Sequence, residues 1–291
     1  MKLLILLAAL CAARSPADQR NDRGVDLAQA EKYEEAIPHF EAAIAADPRN
    51  FRAYSNLGQA HAALERHDRC EKPLRQSLEL SPKYDAAHSG LARCLNLQAR
   101  LPESEDWARR ALALREDADN LLMMAIAMYY QDRPAEGLPF IEKALRLAPK
   151  EAGLHAGKAQ LLLAAERGAE ALESARAAVV VSTRSPAAFL ALGMILARQG
   201  DYAEAEKALD EAERLGQAKA RPRNPFAMPV ERERALLQLA RGQRQAAARH
   251  LKRYFELRRT PLDFHGGPLR KDVAAAARAL GLAVPAAPAA Q

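Results

Sequence analysis

Aromatic side chains are scarce in this 291-residue chain, where Phe, Tyr and Trp together make up 5% and tryptophan occurs once. A core built on stacked rings is therefore excluded. Ala dominates the apolar half of the sequence, which suits close helix-on-helix packing by a strong helix former. Strand signals are absent. Cysteine is sparse too, with three residues; Cys70 and Cys94 have no flanking His or Cys cluster, which excludes a zinc site. The seven histidines, His39, His61, His67, His88, His155, His250 and His265, scatter without metal-ligand spacing. Carboxylates such as Glu34 and Glu35 sit where an exposed helical face explains them, and no glycine-rich loop cradles a phosphate. Neither an enzyme nor a cofactor or metal protein is expected.

Long hydrophobic runs are missing as well. The unbroken apolar stretch from Leu3 to Ala13 holds eleven residues, well short of the roughly 20 that cross a bilayer as a helix. With Lys2 before it and small residues after it, residues 1–17 read as a secretory signal peptide. Cleavage after Ala13 or after Ala17 fits a small-x-small preference. The mature chain is then expected to be exported and periplasmic, with no transmembrane helix. A retained first helix, and with it a cytoplasmic location, is the alternative. Cys11 raises a lipoprotein reading, but Leu10 stands where that signal wants a small residue.

What the chain does have is a period. The segment FRAYSNLGQAHAALERHDRCEKPLRQSLELSPKY, Phe51 to Tyr84, is one 34-residue unit of a recurring pattern. Units run Ala17 to Asn50, Phe51 to Tyr84, Asp85 to Asp117, Ala118 to Glu151, Ala152 to Ser185 and Pro186 to Lys219, and only the third is a residue short. Each holds two apolar stretches of helical period around a short polar turn, such as Gln131-Asp132-Arg133-Pro134, and so predicts a helical hairpin. At the eighth place stand Gly24, Gly58, Ala92, Ala125, Ala159 and Gly193; at the twentieth, Ala36, Cys70, Ser104, Gly137, Ala171 and Ala205. Small residues there allow two helices to cross closely, and Pro48, Pro82 and Pro149 stop the second helices.

Segments such as LGQAHAALERHDRCEKPLRQSLELSP and LGMILARQGDYAEAEKALDEAERLG resemble the tetratricopeptide repeat family in their Leu-Gly start, Gly-Asp-Tyr turn and Ala-Leu second helix. The resemblance implies an all-α, right-handed superhelical solenoid of antiparallel helix hairpins, with six tandem repeats over residues 18–219. Thr183, Gln217 and Glu116 depart from the usual proline and predict local changes in curvature. Residues 220–229 read as a basic, proline-bearing connector, 230–280 as a divergent seventh hairpin with a capping helix, and 281–291 as a disordered tail. Within this frame Cys70 and Cys94 fall on helices that stack; a disulfide and a pair of small buried thiols are both open.

The resemblance also implies a partner and a place for it. The family binds protein or peptide segments in a concave groove lined by the first helices, and the corresponding places hold Arg52, Ser55, Gln59, Ser89, Arg93, Asn96, Leu122, Ile126, Tyr129, Tyr130, Gln160, Leu163, Leu190, Met194 and Arg198. The first half of that set is polar and the middle apolar, so an apolar-anchored segment is the expected ligand. The lysine and asparagine clamp by which some members grip a terminal carboxylate is replaced by Ser55, Gln59, Ser89 and Arg93. Charge is uneven: Lys219 to Lys271 carries fourteen Lys and Arg against four Asp and Glu, a local +10 within a net +6, which leaves about −4 elsewhere. That end predicts a solvated arginine-rich cap or contact with acidic partners or a membrane surface. No nucleic-acid reading motif accompanies it, so nucleic acid is not an expected partner.

Overall fold

The computed structural model describes residues 15–64, 66–219, 226–257, 262–263, 267–268 and 271–283. Residues 1–14 of the expected signal segment, with Cys11, lie outside the described residues, as do residues 220–225 of the connector and 284–291 of the tail.

The hairpins are α1 (Pro16–Gln29) with α2 (Tyr33–Ala46), α3 (Phe51–Ala63) with α4 (His67–Leu80), α5 (Asp85–Leu97) with α6 (Leu101–Leu114), and α7 (Ala118–Tyr130) with α8 (Pro134–Leu147). They continue through α9 (Ala152–Ala164) with α10 (Gly168–Val181), α11 (Pro186–Gln199) with α12 (Tyr202–Lys219), and α13 (Ala227–Ala240) with α14 (Arg244–Leu257). Two short strands, β1 (Leu262–Asp263) and β2 (Gly267–Pro268), then pair antiparallel, and α15 (Lys271–Ala279) closes the described chain. The architecture is an all-α helical repeat array. The strand pair departs from the expected absence of strands.

Local chemistry sets the helix ends. Ser15, Asn50, Asp117 and Ser185 each accept a hydrogen bond at their side-chain oxygen from the backbone N–H three residues on, satisfying an orphan donor of the first turn. Because Ser15 caps α1 and Ala17 is buried, a domain boundary at residue 17 cuts into the first helix. The connector likewise ends early, since Ala227, Met228 and Pro229 already belong to α13 and proline is tolerated in a first turn. First helices hand over to second helices through one left-handed residue: Glu31, Ala99, Asp132 and Glu166 at φ 59°, 62°, 62° and 61°, then Gly200 and Gly242 at 90° and 76°.

Close crossing of the two helices in a hairpin depends on the small eighth place. A Cβ added at Gly24 would stand 2.5 Å from Phe40 Cε1, at Gly58 2.5 Å from Leu74 Cγ, and at Gly193 2.9 Å from Leu209 Cγ. These separations are too short for any side chain, so glycine is required at this spacing of the helix axes. Ser104 at a twentieth place donates from Oγ to Ala92 O at 2.8 Å across the same crossing.

First helices of neighbouring units lie against one another, from α1 on α3 to α11 on α13. Each second helix instead packs on its own partner and on the first helix of the following unit. The first helices therefore line the inner, concave side, and the second helices the outer one. At the far end α15 docks on the seventh hairpin, burying Val273, Ala276 and Ala277 against Met228, Ala235, Leu251 and Tyr254.

Candidate functional site

Two polar members of the groove set, Gln59 and Ser89, together with Asn56 beside them, hold first helices together. Asn56 Nδ2 donates to Asn21 Oδ1 at 2.8 Å, Gln59 Nε2 to Ala86 O at 3.4 Å, and Ser89 Oγ to Asn120 Oδ1, each bond linking one unit to another. Ser55, 0% exposed, accepts from Gln59 Nε2 at 3.0 Å. Asn96 is buried at 4%. Ser55 and Asn96 are thus corrected from groove-lining to interior positions, since burial leaves neither side chain open to the groove. Arg52 and Arg93 stay exposed, the first with its guanidinium 5.7 Å from the Phe51 ring centroid.

Leu190 and Met194 require the same correction. They are 0% and 2% exposed and join Leu209, Ala212, Val230 and Leu237 in one core cluster. The cause is α13, whose Val230 and Leu237 cover that stretch of α11. Arg198, one turn further along α11, is exposed and pairs with Asp272 at the start of α15.

The middle of the set is different. Leu122, Ile126, Tyr129 and Tyr130 on α7, with Gln160 and Leu163 on α9, are all half-buried. The two tyrosine rings meet edge to face with centroids 5.7 Å apart. Leu122, Tyr129 and Leu163 rest on the central core cluster. Leu122 also lines a cleft of about 410 Å³ whose rim carries Asp117, Asp119 and Glu151. Half-buried apolar side chains thus follow one another along the first helices of the fourth and fifth units, with acidic groups around the cleft at the Leu122 end.

Cys70 on α4 and Cys94 on α5 are joined, with Sγ atoms 1.98 Å and Cα atoms 5.9 Å apart. Both are fully buried. Among the described residues no group of His, Cys, Asp and Glu is arranged to hold a metal ion, and no helix is long and apolar enough to cross a membrane.

Comparison with known proteins decides the family. The tetratricopeptide repeat profile matches residues 21–69, 71–120 and 159–225, more than half of the chain. The chain belongs to the tetratricopeptide repeat family. A curated relative, DnaJ homolog subfamily C member 3 of Gallus gallus, is 21% identical over 221 residues, covering 69% of this chain. The chain spans only 44% of that relative's length. Among solved structures, a tetratricopeptide repeat protein from Parabacteroides merdae superposes with a TM-score of 0.61 at 13% identity, covering 91% of this chain and 98% of its own. The thermophilic TPR protein TTC0263 of Thermus thermophilus gives 0.57 at 17% identity, covering 62% and 98%. Human IFIT1, as a dimer with m7Gppp-AAAA, gives 0.70 at 17% identity, covering 84% and 59%. These identities show the shared fold alone. Tetratricopeptide repeats form protein-interaction scaffolds, and such folds are generally non-catalytic.

Two features of these repeats went unread in the sequence. An arginine stands directly before four consecutive second helices, at Arg66, Arg100, Arg133 and Arg167. The first three reach back one unit, to Glu34 at 2.7 Å, Glu71 at 2.8 Å and Glu105 at 2.9 Å, and the last three also grip Glu103, Glu136 and Glu170 on their own helix at 2.6 Å. Their even spacing was the signal. His88 and His155 likewise recur at the fourth place, each Nε2 bonding the carbonyl of the proline before its unit, Pro82 at 2.8 Å and Pro149 at 2.9 Å. A carbonyl only accepts, so each ring carries its proton on Nε2.

The basic end is also less bare than its composition implies. Arg234 pairs with Asp210 at 2.6 Å and Glu213 at 2.7 Å, and Arg241 with Glu206 at 3.1 Å, all on α12. Arg232 and Glu233 pair at 2.7 Å in full burial, and His250 Nδ1 lies 2.7 Å from Glu231. The expected solvated cap is corrected accordingly. Two of those arginines, Arg234 and Arg241, bind the seventh hairpin to the sixth.

Proposed function

We propose that the protein is a non-enzymatic, exported scaffold that holds a segment of a protein partner in its concave groove and takes part in assembling an envelope complex. The apolar strip on α7 and α9 carries this reading. Leu122, Ile126, Tyr129, Tyr130 and Leu163 keep part of their surface open on the inner side, where the flanking units present polar atoms already bonded to one another. Aromatic and aliphatic anchors in a partly enclosed groove are where binding energy concentrates. Exposed apolar side chains also recur on the outer edge, at Leu114, Leu147 and Val180, but the groove adds concavity.

Three observations support the finer parts. The Cys70–Cys94 bridge is of a kind that persists in oxidising compartments. The Ser15 cap on α1 favours cleavage after Ala13, because a cut after Ala17 would remove the cap and part of the first turn. A protein segment is favoured over nucleic acid by the engagement of Arg234 and Arg241 of the seventh unit with α12 carboxylates.

The test is capture from an envelope extract by the wild-type protein and by a Tyr129→Ala/Tyr130→Ala variant with unchanged helicity. Loss of at least tenfold in partner recovery is expected for two anchors of this type. Equal recovery by both would move the binding surface elsewhere. Sequencing the mature N-terminus tests export: a start at Arg14 or at Asp18 supports it, and retained Met1 ends it.

A further inference from the structure

The C-terminal part of the chain returns to the concave face. The strand β2 follows the seventh hairpin in sequence, yet its Cα atoms come within 8 Å of those of α7 in the fourth unit, the helix that carries Leu122, Ile126, Tyr129 and Tyr130. Four residues after Pro268, Asp272 forms an ion pair with Arg198 on the inner helix α11. The side chains of this pair are 41% and 28% exposed, so it lies on the surface of the groove and is not part of the core. Beyond Asp272, α15 is fixed to α13 through Val273, Ala276 and Ala277. The strand pair, joined at Leu262 with Pro268 and at Asp263 with Gly267, is thus tethered close to the groove on one side by α14 and on the other by α15.

We propose that this chain's own β1–β2 pair and Asp272 are an intramolecular occupant of the groove, and that a partner segment binds by displacing them. The inference rests on the reading of the groove as the partner site. It also gives the partner a chemistry: an extended segment that covers the apolar face of α7 and presents a carboxylate to Arg198. A tethered occupant competes at an effective concentration on the order of millimolar, so even a weak contact screens out weak ligands. An extended peptide of low affinity would not enter; one that meets both the apolar strip and Arg198 would.

Oxidative trapping in the full-length chain tests the contact. Gly267→Cys is combined in turn with Leu122→Cys, Ile126→Cys or Tyr130→Cys, with the native Cys70–Cys94 bridge left in place, and cross-links are mapped by mass spectrometry. An intramolecular link in at least one pair is expected. Its yield should fall several-fold with Asp272→Arg or with Arg198→Asp and recover when both are present. No link in any pair of natively melting proteins overturns the proposal, and so do yields indifferent to the charge reversals.

Displacement is tested with peptides selected from a random display library on the Asp272→Arg chain. They should bind the wild-type chain more weakly, by up to about fivefold if one exposed ion pair is what they must break. They should also lose binding on Tyr129→Ala/Tyr130→Ala. Equal affinity for the wild-type and Asp272→Arg chains, with tyrosine dependence kept, rejects the tethered occupant and leaves the groove reading standing. Peptides that ignore the tyrosines while the cross-link forms reject the groove reading, and with it the competition.

Discussion

Arg133 reaches from the fourth unit into the third and places Nη1 2.9 Å from Oε2 of Glu105. Glu105 is 8% exposed and is held from three directions, because Gln131 Nε2 donates to the same oxygen at 2.7 Å and Arg109 Nη2 to Oε1 at 2.6 Å. Burial by itself would raise the carboxyl, but the hydrogen bonds from Gln131 and Arg133 and the charges of Arg133 and Arg109 outweigh it. Its pKa is therefore below the ordinary 4.5.

The sign of the pH effect follows. A group whose folded pKa is depressed stabilises the fold fully above its unfolded pKa, and that contribution is lost as pH falls through the folded value. Glu105→Gln is expected to lower stability by about 1 kcal/mol near neutral pH. The gap between variant and wild type should be full near neutral pH, narrow as the pH falls below the ordinary 4.5, and close in acid below the lowered folded value, where both lack the charge. Urea denaturation at both pH values measures it, and a gap that persists in acid would show packing, not charge, to be responsible.

Gly58 is fixed by contact. A Cβ at this position would stand 2.5 Å from Leu74 Cγ and 2.9 Å from the Cys70 carbonyl oxygen, and the second of these belongs to backbone that cannot rotate away. Gly58→Ala should therefore destabilise the array by about 1–3 kcal/mol through forced separation of α3 and α4. An unchanged urea midpoint would mean that the helices part at no cost.

Ala99 has the opposite problem. It holds φ at 62° between α5 and α6, a conformation costing an L-residue roughly 1–2 kcal/mol, while the corresponding turns of the last two hairpins use Gly200 and Gly242. Ala99→Gly relieves that strain and gives back part of the gain as chain entropy, so stabilisation of up to about 1 kcal/mol is expected. A lower melting temperature would locate the balance on the entropy side.

These cases show which features a sequence can carry. Hairpins, small crossing places and stop signals are local, so they repeat visibly. Groove places are a matter of how closely the next first helix lies. The approach of α13 buries Leu190 and Met194, and no residue near them in the sequence announces it. The arginines before the second helices were legible as a period, and of their acceptors Glu71 and Glu105 share the twenty-first place of the unit while Glu34 stands at the eighteenth. The return of β2 to α7 joins segments far apart in the chain and has no local signature at all.

The bridge between Cys70 and Cys94 ties α4 of the second unit to α5 of the third across a sequence separation of 24 residues. Because a repeat array is stabilised mainly through neighbouring interfaces, a covalent tie at one interface couples two units that would otherwise open separately. Closing a loop of this length restricts the unfolded chain by about 3.5 kcal/mol in the chain-entropy treatment. A Cys70→Ala/Cys94→Ala variant keeps small side chains at the crossing, so its loss of stability should approach that figure. Both sulfurs are fully buried, so Cys70 and Cys94 of the native protein should resist alkylation before and after mild reductant and be labelled only when reduced in denaturant. Labelling of these two residues, mapped by mass spectrometry, in denaturant without any reductant would mean that the thiols are free and that stacking alone joins the two units.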